Sequence, residues 1–132
     1  MFKLTINPRF LETDALGHIN HTVIPMWFES GREPLFRLFN PKLNVKAWNL
    51  IMAKIEISFN QQIFFGKPVD IHTYIKKIRN TSIIIRQEVW QAEELCAIGE
   101  IINIHFNHQT QKAIRIPPKI RGELEKHLYE HI

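Results

Sequence analysis

Asp14 is the carboxylate of a glycine-containing turn in the stretch Glu12-Thr13-Asp14-Ala15-Leu16-Gly17-His18-Ile19-Asn20-His21, just ahead of a segment whose pattern predicts a helix from about Thr22 to Phe39. A helix start carries N–H groups without internal partners and the positive end of the macrodipole, so it can hold an oxyanion. An Asp a few residues upstream can direct a water molecule or attack an electrophile itself, and the combination suits hydrolytic chemistry. The competing reading is that Asp14 only caps a turn, where Asp and Asn side chains commonly bond nearby backbone.

Other reactive residue types point to less. His18 and His21 lie three apart, but no further His, Cys or carboxylate arrangement completes a recognisable metal site, so no metal or other cofactor is expected. Cys96 is the only cysteine, which rules out an internal disulfide, and its place inside a strand pattern reads as packing. Glu29 is helical and three residues from Arg32, a spacing that predicts an ion pair on the helix. His72, His105 and His108 fall in or beside alternating strands and are expected to be exposed.

The segments Thr13 to His21 and Trp27-Phe28-Glu29-Ser30-Gly31-Arg32 resemble the signature of the 4-hydroxybenzoyl-CoA thioesterase family, the hotdog-fold acyl-CoA thioesterases. Lys77-Ile78-Arg79-Asn80-Thr81-Ser82 resembles that family's turn between two long strands, and Asn107 to Pro117 its final hairpin and exit. The likeness runs in order through nearly the whole chain. It implies one α+β hotdog domain over residues 1–132, with a curved antiparallel sheet wrapped around a central helix. The implied activity is hydrolysis of an acyl-CoA thioester to free acid and coenzyme A. By place in the motif, Asp14 is the nucleophile or general base. The backbone N–H of His21 faces the thioester oxygen, a contact typically worth roughly 3–4 kcal/mol. Gly17 lets the backbone turn past the substrate, and His18 and Asn20 orient the loop or touch the acyl group. Lys77, Arg79, Ser82 and Arg86 lie where the family binds the nucleotide end of coenzyme A. Relatives assemble as homodimers, commonly paired into homotetramers, with active sites shared between chains. The apolar stretch Asn60 to Gly66, with Phe64 and Phe65, is expected to face Asp14 of a second chain. One departure stands out: Ile24-Pro25 replaces the aromatic residue, usually Tyr, that many relatives carry there.

Two other classes fit parts of this pattern. A hotdog dehydratase or hydratase would use a His and carboxylate pair such as His18 and Glu29 for proton transfer. A non-catalytic module would keep the fold and bind acyl-CoA or nucleic acid.

The elements that must position these residues are readable from periodicity. Met1 to about Leu11 predicts a first strand with Phe2, Leu4 and Ile6 on one face. The helix carries apolar residues over too much of its circumference for a surface helix and should be wrapped by other structure. Pro25 fits only if that helix begins near His21 or Thr22, and Pro34 predicts a kink or a separate last turn. After a loop from Asn40 to about Val45, period-two patterns predict half-buried strands over Lys54 to Asn60 and Val69 to Lys76. Ile83 to Trp90, Leu95 to Phe106 and Lys112 to Ile116 supply three more, with turns at Arg79 to Thr81 and Gln91 to Glu94. Ile120, Leu124 and Leu128 predict a short helix after Pro117-Pro118. The 132 residues and 45% apolar content suit one core. The net charge of +4 suits a polyanionic ligand, a description that nucleic acid and the phosphates of coenzyme A both meet. No apolar run of roughly 18 residues suggests a membrane span, and no signal-peptide layout opens the chain, so a cytoplasmic location is expected.

Overall fold

The computed structural model describes residues 1–130. Strand β1 (Phe2–Ile6) leads through short 3-10 turns at Phe10–Glu12 and His21–Val23 into helix α1 (Ile24–Phe39). Four long strands follow: β2 (Leu50–Phe59), β3 (Val69–Ile78), β4 (Ser82–Gln91) and β5 (Glu94–Asn107). The two-residue β6 (Lys112–Ala113) and helix α2 (Pro118–Glu125) close the described chain. The strands pair antiparallel in the order β1-β3-β4-β5-β2, with β6 on β5. The sheet curls around α1, which is the hotdog architecture.

Alternation explains why the helix sits where it does. Val69, Ile71, Thr73 and Ile75 of β3 are buried, whereas Asp70, His72 and Tyr74 between them are half-buried on the opposite face. On β4 and β5, Ile83, Ile85, Val89, Ala97 and Ile101 join the same core beneath Phe28 and Leu35 of α1. Two glycines let helix and sheet approach. A Cβ at Gly99 would lie 2.6 Å from the Phe28 ring, and one at Gly31 would lie 2.8 Å from Ile71. A polar seam crosses this contact: Gln87 Nε2 donates to the Phe28 carbonyl at 2.8 Å and to Thr73 Oγ1 at 2.9 Å, while its Oε1 accepts from Arg32 Nη1 at 2.9 Å. Every member is buried, so each lost partner would cost about 1–3 kcal/mol.

Several boundaries differ from the sequence pattern. β1 stops at Ile6, short of Leu11, because the chain turns after the buried Pro8 into the Phe10–Glu12 3-10 turn. β2 begins at Leu50, four residues early, and is exposed along most of both faces rather than half-buried, since it pairs only with β5. α1 runs through Pro34 without a separate last turn; the carbonyl that loses a bond belongs to exposed Ser30, where water can reach it. Met26 is 56% exposed, so this chain leaves one side of α1 uncovered. β6 ends at Ala113, and α2 ends before Leu128. Residues 127–129 instead run beside β3, with the Tyr129 N–H donating to the Ile75 carbonyl at 2.7 Å. His105 is buried rather than exposed, its Nδ1 lying 3.3 Å from the Arg115 carbonyl oxygen. Arg32 turns inward to Gln87 instead of pairing with Glu29 on the helix surface. No helix among the described residues is long and apolar enough to cross a membrane.

Candidate active site

The Asp14 turn is a small, internally bonded loop. Asp14 Oδ1 accepts the backbone N–H of Leu16 at 2.8 Å and that of His18 at 3.2 Å, and the Asp14 N–H donates to the His18 carbonyl at 2.8 Å. Gly17 adopts φ +80°, a left-handed conformation that glycine alone enters without strain, so its conformation serves the turn. The Ile19 N–H donates to the Ile63 carbonyl at 2.7 Å and docks the loop on the segment after β2. Asn20 then starts the helical run: its Oδ1 accepts the Thr22 N–H at 2.9 Å, and its carbonyl accepts the Val23 N–H at 3.0 Å. The His21 N–H is left with no acceptor among the described residues.

These parts meet in one cleft of about 490 Å³, lined by Asp14, Ile19, His21, Ile24 and residues 59–63. Asp14 is exposed to it, and the start of α1 opens on it. The Asn60 to Ile63 wall of this cleft comes from Asp14's own chain. Phe64 and Phe65 point elsewhere: Phe64 packs edge-on against His18 with ring centroids 5.0 Å apart, and Phe65 against Phe10 at 5.8 Å. The His21 ring turns to Phe59 at 6.1 Å, so the two histidines face different neighbours. Among the described residues no group of three or more His, Cys, Asp or Glu is placed to hold a metal ion.

Two residues that the sequence reading passed over hold the site. Glu12 is 4% exposed and ties the loop to α1, accepting the Arg9 N–H at 2.6 Å and Trp27 Nε1–H at 3.0 Å. Gln91 brackets the Phe64 backbone, accepting its N–H at 2.9 Å and donating to its carbonyl at 2.8 Å. A Glu two residues before the turn and a Trp on the first helical turn were the available signal for the first; nothing local announces the second.

The basic residues are not brought to this cleft. Lys77, Arg79 and Ser82 lie at the β3–β4 turn, where the Arg79 N–H donates to the Ser82 carbonyl at 2.8 Å. That turn is at the opposite end of ten-residue β4 from Gln91, roughly 30 Å away at strand rise. Arg86 is already engaged: its Nε donates to buried Glu88 at 2.8 Å and its guanidinium sits 4.8 Å over the Tyr129 ring. Glu29 lines a different cavity from Asp14, between α1 and the start of β2. Cys96 is buried, and burial pushes its thiol up, away from a reactive thiolate.

A family model described as the thioesterase-like superfamily matches residues 8–124. Among solved structures, a predicted thioesterase from Bacillus stearothermophilus is 38% identical, with 98% of each chain covered and a TM-score of 0.95. A thioesterase from Thermus thermophilus, solved in complex with coenzyme A and Zn, is 20% identical over 92% of this chain and 95% of that one, with a TM-score of 0.82. Among curated proteins, the uncharacterized protein YsmA of Bacillus subtilis (strain 168) is 22% identical over 110 residues, which is 83% of this chain and 75% of that protein.

Proposed function

This chain belongs to the thioesterase-like superfamily, and within it we propose that the protein hydrolyses an acyl-CoA thioester to free acid and coenzyme A, in the manner of the 4-hydroxybenzoyl-CoA thioesterases. The observation that carries the reading is that Asp14 and the start of α1 at His21 line one open cleft. Asp14 attacks the thioester carbonyl or draws a proton from the attacking water. Negative charge then develops on the carbonyl oxygen, and the His21 N–H at the helix start receives it. Collapse of the tetrahedral species breaks the C–S bond, and the leaving thiolate takes up a proton to become the coenzyme thiol; where Asp14 is the nucleophile, water then hydrolyses the acyl anhydride left on its carboxylate to give the free acid. Coenzyme A bound to the Thermus thermophilus structure of the same fold supports the choice of thioester. Residues 1–132 act as one domain, and the working unit is a homodimer or homotetramer in which Lys77 and Arg79 meet the nucleotide end of a coenzyme held by another protomer.

The dehydratase reading has less support, because Glu29 lines a separate cavity and His18 turns its ring to Phe64. A panel of acyl-CoA substrates followed by free-thiol release tests the proposal. Thiol release with at least one member is expected; a panel that yields no thiol, from protein that is folded, overturns it.

A further inference from the structure

The loop that carries Asp14 is a small hairpin. Its arms are joined by the Asn20 N–H on the Glu12 carbonyl at 2.9 Å, by a bridge between Thr13 and Ile19, and by the Asp14 N–H on the His18 carbonyl at 2.8 Å. The second arm leads through Asn20 and the His21–Val23 3-10 turn into α1, so that turn is the hinge between hairpin and helix. One side-chain bond spans the hinge: Glu12 Oε2 accepts Trp27 Nε1–H at 3.0 Å. Among the described residues no other side-chain hydrogen bond or ion pair joins residues 12–20 to α1. Both partners are buried. Asp14 leaves the hairpin two residues beyond Glu12, and His21 lies between the two points, Asn20 and Trp27, that Glu12 grips. Glu12 itself does not line the Asp14 cleft.

Resting on the thioesterase reading above, we infer that Glu12 is a positioning residue for the reaction: through Trp27 it fixes the hairpin on α1 and so sets the separation of the Asp14 carboxylate from the His21 N–H. Those two groups serve the same event, attack at the carbonyl carbon and charge on its oxygen, and a misplacement of about 1 Å can cost roughly a hundredfold in rate. The donors around Glu12 specify its type. Oε1 accepts the Arg9 N–H at 2.6 Å, while Oε2 accepts the indole N–H and lies 3.5 Å from Arg9 Nη2. Every neighbour is a donor, and an ionised carboxylate accepts on both oxygens; an amide of the same shape turns an NH2 against one of them. Packing alone asks for no charge here, and burying a carboxylate is costly unless such bonds are made.

The test is a double-mutant cycle read in steady-state kinetics on the acyl-CoA that releases most thiol from the wild type. Glu12→Gln keeps the shape and loses one acceptor; Trp27→Phe loses the indole N–H and keeps an aromatic ring in the core. Each is expected to lower kcat by about tenfold or more with KM within about twofold, because the geometry they disturb acts in the transition state and not on the bound ground state. The double variant should fall no further than the poorer single one, since the two residues act through one bond. If Glu12→Gln fails to fold, Glu12→Asp, which keeps both acceptors on a shorter stem, takes its place in the cycle. A melting temperature that drops while kcat per folded molecule holds would make the bond structural only and overturn the inference. Losses that multiply in the double variant, or a rise in KM in place of the fall in kcat, overturn it as well. All three outcomes leave the proposed hydrolysis standing, whereas a wild type that releases no thiol from any acyl-CoA overturns that reading and this inference together.

Discussion

Asp14 Oδ1 lies 2.8 Å from the backbone nitrogen of Leu16, so the carboxylate proposed to act on substrate also holds its own turn. The capping and catalytic readings of this residue are therefore compatible, and two substitutions separate them. Asp14→Asn keeps the accepting oxygen and removes the base or nucleophile: turnover should fall about a hundredfold or more with the melting temperature nearly unchanged. Asp14→Ala should lose turnover and, in addition, about 1 kcal/mol of stability. Steady-state kinetics beside thermal melts read both. Near-native turnover in the Asn variant would remove Asp14 from the chemistry and make Glu29 the next residue to test.

Lys77 and Arg79 are exposed at the β3–β4 turn, whereas Arg86 is committed to Glu88 and Tyr129. Neutralising the first two should raise KM for acyl-CoA several-fold with a smaller effect on kcat, because contacts to the nucleotide end bind ground and transition states alike. Arg86→Gln should act on stability instead, since it strips the cation from the buried Glu88 carboxylate. A KM effect confined to Arg86, or none at Lys77 and Arg79, would place the nucleotide elsewhere.

The β4–β5 turn carries stored backbone strain. Ala92 at φ 49° and Glu93 at φ 66° both occupy the left-handed region, as a two-residue hairpin turn requires, without the Asn and Gly that enter it cheaply. The double change Ala92→Asn, Glu93→Gly should stabilise the fold by about 1 kcal/mol, raising the melting temperature by about 4 °C. A fall in melting temperature would show that the native pair makes contacts worth more than its strain.

That turn was legible from the sequence by its position between two alternating runs, although its residues lack the usual hairpin signal. Val69, Ile71, Thr73 and Ile75 were equally plain, because a half-buried strand writes its environment in a period of two. β2 was misread at its start for the converse reason. Leu50, Ile51 and Met52 show no alternation, and an edge strand exposed on both faces imposes none. His105 looked like an outward strand residue; it is buried beside Phe39, which comes from the far end of α1, and the Arg115 carbonyl just past β6. Around the Asp14 turn, the motif reading grouped Asp14, Gly17, Asn20 and His21, and the bonds that Asp14 and Asn20 make are local ones a short motif can encode. Glu12, Gln91 and the inward turn of Arg32 to Gln87 depend on where the helix lands on the sheet, and no local spacing encodes that.

His72 sets a pH dependence of stability. It lies half-buried on the outer face of β3, with Nδ1 3.8 Å from Glu88 and its ring 6.0 Å from Trp90. Burial lowers its pKa below the ordinary value near 6.5, with Glu88 and Asp70 acting in the opposite direction. The unfolded chain therefore binds the proton more readily, and stability rises with pH through this window. The contribution is complete above the unfolded value and fades as pH falls through the lower folded one. Thermal melts from pH 7.5 to 5 should show falling stability, and His72→Gln should flatten part of that slope. An unchanged slope would assign the effect to other groups, His127 among them, whose pKa burial also lowers.

The last prediction concerns assembly. β2 is a ten-residue edge strand whose Ile51, Met52, Ile55 and Phe59 are 39%, 41%, 39% and 51% exposed. An unpaired, apolar edge of that length is a template for another strand, and proteins usually cover or charge such edges. Here Lys54 and Glu56 pair with each other at 3.1 Å and offer little repulsion to a second copy. Antiparallel pairing of two β2 strands would continue the sheet and place Met26 and the rest of the uncovered side of α1 against the partner. The protein is therefore expected to be at least a dimer in solution, and charges at Ile51 and Ile55 (Ile51→Lys with Ile55→Lys) should shift it toward monomer in light scattering or sedimentation. Asp14 and residues 59–63 of one chain line the same cleft, whereas Lys77 and Arg79 lie at the β3–β4 turn, the end of β4 opposite Gln91 and roughly 30 Å from it along the strand. Monomers should therefore lose activity although Asp14 and His21 are intact, with KM affected first. A monomer that keeps full activity at assay concentration would sink the shared-substrate arrangement and leave each chain's cleft sufficient by itself.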